Sequence, residues 1–236
     1  YVIMAIYFYL HLFTLSFPLL RSFESRIQYA TKWKYLFPAI FLTGLFFLVW
    51  DVIFTHNGVW GFNEEYLLGI YLFKLPIEEW LFFLTVPFSS VFIYECVLYF
   101  LKKDILGGNG SMILKGLAIV LIIAALFNFS KAYTFWNFLF TGLFILIRLR
   151  FLKPKHLDRF VIAYLIHLIP FMIVNGVLTG SMTENPIVWY NDEQNLGIRV
   201  FTIPIEDTIY ALLLLFMNVS LYEYFMKTKP TKDNNE

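Results

Sequence analysis

The sequence predicts an all-α integral membrane protein: a polytopic bundle of seven transmembrane helices, arranged as two parallel three-helix repeats joined by one helix. Three observations carry that prediction. Of 236 residues, 59% are hydrophobic and only 15% charged, with a mean hydropathy of +0.68, far from the composition of a soluble domain. Several stretches stay apolar for about 20 residues, the length a helix needs to cross the hydrocarbon core, whereas barrel strands alternate over about 10. One motif also occurs twice, 128 residues apart: Pro76-Ile77-Glu78-Glu79 and Pro204-Ile205-Glu206-Asp207, each preceded by an Asn-acid-acid run and a Leu-Gly-Ile triplet.

The expected spans lie at about 2–20, 35–55, 76–101, 112–128, 132–150, 160–180 and 201–226. The first is too long for a signal-peptide core and has neither a positive leader nor a small-residue cleavage site, so it counts as structure. The second carries Asp51 near its end, and the third opens on the first motif. The fourth follows the cluster Gly107-Gly108-Asn109-Gly110 and restores the chain direction, so that spans five to seven run parallel to spans one to three. The expected division is 1–101 for the first repeat, 102–131 for linker and joining helix, 132–228 for the second repeat and 229–236 for a polar tail.

Charge sorts by loop. Fifteen of the 18 Lys and Arg fall in one set of alternating loops: Arg21, Arg26, Lys32 and Lys34; Lys102, Lys103 and Lys115; Arg148, Arg150, Lys153, Lys155 and Arg159; Lys227, Lys229 and Lys232. Only Lys74, Lys131 and Arg199 are left for the other side. The positive-inside rule then puts the N-terminus outside and the C-terminus in the cytoplasm, with both motifs at the outer face of a cell (inner) membrane. The only cysteine, Cys96, falls within a span, so no intramolecular disulfide is expected. His11, His56, His156 and His167 lack ligand spacing, and no metal site is expected.

In each motif the proline suits the first turn of a helix, where a missing N–H costs nothing, and the acids follow in that same turn. There the free backbone N–H groups and the positive helix end favour an acceptor. A cap needs one acceptor, however, and Ser, Asn or Thr would serve without burying charge. Two adjacent acids in both copies, flanked by Phe73/Phe201 and Ile77/Ile205, predict a shared pocket. Asp51, and Asn175 near the corresponding place in the sixth span, are candidates to hydrogen-bond the motif acids. Trp60, Trp80 and Tyr210 lie near the motifs and are candidates to line a substrate site, although Trp60 and Trp189 also suit interfacial positions. Glu95 and Glu223 lie about 25 Å further along their helices and are expected to pair with basic loops at the opposite face.

The paired Pro-x-Glu-acid motifs, the upstream aspartate and tryptophan, and the three-span repeat resemble the integral-membrane lycopene cyclase family of the heterodimeric type, here with two cyclase domains fused in one chain. The resemblance implies cyclisation of the ψ-ends of lycopene to β-ionone rings, giving γ-carotene and then β-carotene, an isomerisation in carotenoid biosynthesis with no net redox change and no cofactor. It implies Glu78, Glu79, Glu206 and Asp207 as the catalytic acids and bases, with Pro76 and Pro204 setting the helix starts. One carboxyl would give a proton to a terminal double bond and another would take one from the ring, so paired acids are what the reaction requires. The implied partner is lycopene or another carotenoid within the bilayer, not nucleic acid; self-association and association with other carotenoid enzymes stay open. The Glu79/Asp207 difference leaves open whether both motifs catalyse or together build one site.

Rival functions fit less well. A small 3 + 1 + 3 transporter shares the span count, but such carriers use proline-glutamine motifs that this chain lacks. A retinal receptor needs a lysine in its last helix, and none occurs there before Lys227. Flavin-dependent cyclisation needs a dinucleotide-binding fingerprint, which the one glycine cluster does not supply. A C50 carotenoid cyclase of the same family remains an alternative.

Overall fold

The computed structural model describes residues 5–103, 105–151 and 156–227. The start of the expected first span, Lys153, Lys155, Lys229, Lys232 and the expected tail lie outside them. Seven helices occupy the apolar stretches: α1 (Ile6–Arg21), α2 (Trp33–His56), α3 (Ile77–Phe100), α4 (Gly110–Phe127), α5 (Ala132–Phe151), α6 (Leu157–Leu178) and α7 (Ile205–Lys227). Six of them, α2 to α7, are long and apolar enough to cross a bilayer; α1 has 16 described residues and falls short of that length. Pro18, Pro38, Pro87 and Pro170 sit inside helices; at Pro18 the freed Thr14 carbonyl accepts the Ser89 hydroxyl at 2.9 Å.

The loops hold more order than an all-α prediction includes. Strand β1 (Trp60–Phe62) pairs with β4 (Val188–Tyr190), β2 (Tyr71–Leu72) with β3 (Leu75–Pro76), and β5 (Arg199–Val200) with β6 (Ile203–Pro204), all antiparallel. The hairpin of β5 and β6 explains why α7 begins at Ile205 rather than 201. It and the hairpin of β2 and β3 also shift the prolines: Pro76 is extended (φ −63°, ψ 149°) and precedes the first helical residue instead of lying in the first turn. Its strand pairs with Tyr71, and the next N–H, of Ile77, donates to the Ile70 carbonyl at 2.8 Å; Ile205 donates to Ile198 at 2.9 Å in the second copy. Phe73 and Phe201 turn the hairpins with φ of 51° and 57°, a left-handed conformation uncommon for non-glycine residues.

Contacts between the halves respect the repeat. Helix α1 packs on α3 as α5 packs on α7, and α2 crosses to α7 as α6 crosses to α3. The ladder between β1 and β4 joins Trp60 to Tyr190, Gly61 to Trp189 and Phe62 to Val188. At the motif spacing, Trp60 corresponds to Val188 and Phe62 to Tyr190, so the ladder maps onto itself about a pseudo-twofold axis between Gly61 and Trp189. The Trp189 ring leaves no room for a Cβ at Gly61. At the far end of the bundle the same symmetry appears in side chains: Tyr94 donates to Glu223 at 2.6 Å, and Tyr222 donates to Glu95 at 2.5 Å. Lys32 pairs with Glu95 and Arg148 with Glu223, at 2.5 and 3.0 Å, as expected for acids at the basic end.

Helix α4 stands outside the repeat and packs on α5 and α6. Its N-terminus is held from α6, where the Asp158 carboxylate accepts the N–H groups of Gly108 and Gly110 at 2.6 and 2.7 Å. That arrangement satisfies backbone donors that Asn109, at the N-cap, leaves free.

Candidate active site

The two acids of each motif point to different places. Glu78 and Glu206 are fully buried and turn back onto the preceding loop: Glu78 Oε1 accepts the Leu68 N–H at 2.6 Å, and Glu206 Oε1 accepts the Leu196 N–H at 2.7 Å. Glu206 Oε1 also accepts the Thr134 hydroxyl at 2.6 Å, while Asn137 donates to the Glu206 carbonyl at 2.7 Å. These first acids fasten the hairpin and its helix together. The outer loops are further shaped by Asn63 and Asn191, whose side chains accept the N–H of Glu65 and Glu193.

The second acids face the axis. Glu79 Oε2 accepts the Tyr7 hydroxyl at 2.5 Å. Asp207 accepts three donors: Tyr133 at 2.6 Å on Oδ1, with Asn175 at 2.7 Å and Tyr190 at 3.0 Å on Oδ2. Glu79 and Asp207 line one cavity of about 50 Å³, together with Tyr7, Trp60, Phe82, Tyr133, Phe171, Asn175, Tyr190 and Tyr210. The motif that occurs twice in the chain thus contributes to a single chamber.

Asp51 is buried with its carboxyl against that of Glu79, and its Oδ1 accepts Trp60 Nε1 at 2.5 Å and the Thr55 hydroxyl at 3.3 Å. Trp60 is therefore an internal residue; the interfacial expectation fails for it because β1 carries it under the bundle's end. Trp189 is exposed, as that expectation has it. Trp80 is not brought to the chamber: its indole donates to the Leu72 carbonyl at 3.3 Å and lies 6.1 Å from the Phe73 ring. Tyr210 lines the chamber and packs against Phe47 and Trp50, at centroid distances of 4.9 and 5.4 Å.

Sequence reasoning missed Tyr7, Tyr133, Tyr190 and Thr134. A signal exists for two of them: Tyr7 with His11 and Tyr133 with Asn137 each put a phenol and a polar group one turn apart on one helix face. That pairing falls out of register with the motif spacing, which hides it. His11 Nδ1 lies 2.9 Å from the Thr85 hydroxyl, and Asn137 reaches the α7 backbone, so both polar groups tie an opening helix to the motif helix of its repeat. Burial, and then the neighbouring Asp207 carboxylate, push the Tyr190 phenol well above its usual range, which keeps it a donor.

Beside the chamber runs a groove of about 590 Å³ between α1, α3 and α6. It follows α3 from Phe82 to Phe100, about 27 Å at 1.5 Å per residue. Phe82, Phe171, Asn175 and Leu178 belong to the walls of both spaces. The groove's polar side chains satisfy one another: Ser89 donates to the Thr14 carbonyl, Ser90 to the Val86 carbonyl, and His167 Nδ1 lies 3.1 Å from the Ser90 hydroxyl. The rest of the lining is largely apolar. Phe13, Phe17 and Ile166 on its rim are exposed on the bundle's lateral surface.

A carboxyl chamber at the end of an apolar groove can move protons on a hydrocarbon. Neither a search of curated proteins nor one of solved structures found a match to the chain. The family model described as lycopene cyclase matches residues 4–97 and 130–225, which take in α1 to α3 and α5 to α7 with both acid motifs, and the chain belongs to that family of membrane carotenoid cyclases.

Proposed function

We propose that this cyclase converts the ψ-ends of lycopene to β-ionone rings, with Glu79 and Asp207 as the residues that move the protons. The observation that carries the proposal is the position of these two acids, one from each repeat, in a chamber sharing four wall residues with a long apolar groove. A linear polyene lies in the groove, and its end reaches the chamber when the Phe82 and Phe171 rings turn aside. Lateral entry from the bilayer suits the exposed rim.

The surroundings divide the roles. Glu79 has Asp51 beside it, and two adjacent carboxyls repel unless one holds a proton; Glu79 is the member of the pair that lines the chamber, which makes it the donor to the terminal double bond. The tertiary cation is attacked by the neighbouring double bond, closing the six-membered ring. Asp207, held by three donors, suits an acceptor-only carboxylate and takes a proton from the ring carbon, forming the new double bond. One proton enters and one leaves, so the product is an isomer. The faces of Trp60 and Tyr210 and the apolar walls stabilise the cation and exclude water. Glu78 and Glu206 are positioning residues that set the helix starts on which the two acids ride.

The charge asymmetry supports a cell-membrane location with the chamber toward the outer face. Cells that accumulate lycopene should make γ- and β-carotene when they express this chain, without added flavin. Unchanged lycopene in the presence of folded protein rejects the proposal, and elongated C50 rings as the sole product redirect it to the other carotenoid class of the family.

A further inference from the structure

The two halves supply one acid each, yet the groove occupies one side of the pseudo-twofold axis. Setting Tyr7 against Tyr133 and Asp51 against Asn175, the residues that serve the two acids, aligns α1 with α5 and α2 with α6. The groove-lining Thr14, Pro170 and Val174 then correspond to Phe140, Phe46 and Trp50, and Phe82 corresponds to Tyr210. These four aromatic rings pack on one another. Phe140 lies 5.7 Å from Phe46 and 5.3 Å from Trp50, and Trp50 lies 5.4 Å from Tyr210. Where one side leaves room for a chain, the other is filled by aromatic packing, with Trp136 5.2 Å from Phe140 on its outer flank.

From this asymmetry, and resting on the cyclase assignment above, we infer that the enzyme closes one ring per binding event and releases the monocyclic carotenoid. A polyene seated in the groove has one end at Glu79 and Asp207. Its other end lies about 30 Å away, near Phe100, Leu101 and Ile162, where the wall offers no carboxyl. A rigid conjugated chain does not fold back over that distance, and the filled side offers no second seat. The second ring requires the molecule to leave, turn end over end in the bilayer and re-enter with its open end toward the chamber. The groove must then accept a finished ring at its far end. That ring meets Val97, Phe100, Leu101 and Ile162, none of which donates a side-chain hydrogen bond, so the far end suits an apolar ring.

The test uses the intact protein in lipid vesicles with isotopically labelled lycopene in excess over enzyme. Early product should be monocyclic, the bicyclic product should lag, and the lag should lengthen as the excess of lycopene grows. Unlabelled γ-carotene preloaded in the same vesicles should dilute the label reaching β-carotene several-fold, because the intermediate passes through the free pool. Bicyclic product that appears without a lag and with undiluted label overturns the inference while leaving the cyclase assignment standing. Failure to convert lycopene at all overturns both. A second arm narrows the groove midway: Pro170→Phe installs the residue of the filled side and should abolish both ring closures together, whereas retention of either closure by folded variant contradicts a single seat.

Discussion

Glu79 and Asp207 differ by one methylene, and their surroundings differ more. One neighbour of Glu79 is a second carboxyl, Asp51, whereas Asp207 is held by three hydrogen-bond donors. Glu79→Gln and Asp207→Asn keep the side-chain volume and should cut turnover by on the order of 10²–10⁴ while the protein still elutes as a folded species. Glu206→Ala should behave differently, because it strands the Leu196 N–H and the Thr134 hydroxyl in a buried site. The expected loss is about 1–3 kcal/mol of stability, read as a fall in Tm. Duplication drew attention to the four acids, and the sequence placed Asn175 where it could hydrogen-bond a motif acid, as it does to Asp207. The split of each pair into a fastening acid and a chamber acid was not, since adjacent positions at a helix start point about 100° apart only once the entry angle of the chain is fixed. Here a hairpin with a left-handed turn at Phe73 or Phe201 fixes it.

At the scale of elements, hydropathy located the helices to within a few residues, except where β5 and β6 displace the start of α7. The strand pair β1 and β4 was hidden because each partner has three residues and the pairing crosses between halves, a long-range contact with no local pattern. The far end of the bundle is tied by reciprocal bonds between Tyr94, Glu95, Tyr222 and Glu223. Arg148→Met there should cost about 3–5 kcal/mol, because Glu223 stays buried with its cation removed. Adding Glu223→Gln should restore most of that loss, and thermal denaturation of the single and double variants in detergent measures both. Equal Tm values for single variant and wild type would show the pair to be superficial.

For the whole molecule, the contacts that matter most run between repeats: α2 with α7, α3 with α6, and the ladder on the axis. A chain cut within 103–109 should therefore reassemble when both pieces are made together, and the pieces should copurify with activity retained. Neither piece alone should convert lycopene, since each carries one chamber acid. The central claim is that a solvent-exchangeable carboxyl in a chamber built by both repeats protonates the end of a polyene and a second carboxylate removes a ring proton. Its most direct measurement is turnover of lycopene in D₂O by the intact, flavin-free protein, followed by mass analysis of the product. The account predicts one deuterium retained per ring formed, with ring formation lost in Glu79→Gln and in Asp207→Asn. Rings formed without deuterium, or full activity in either variant, would contradict it.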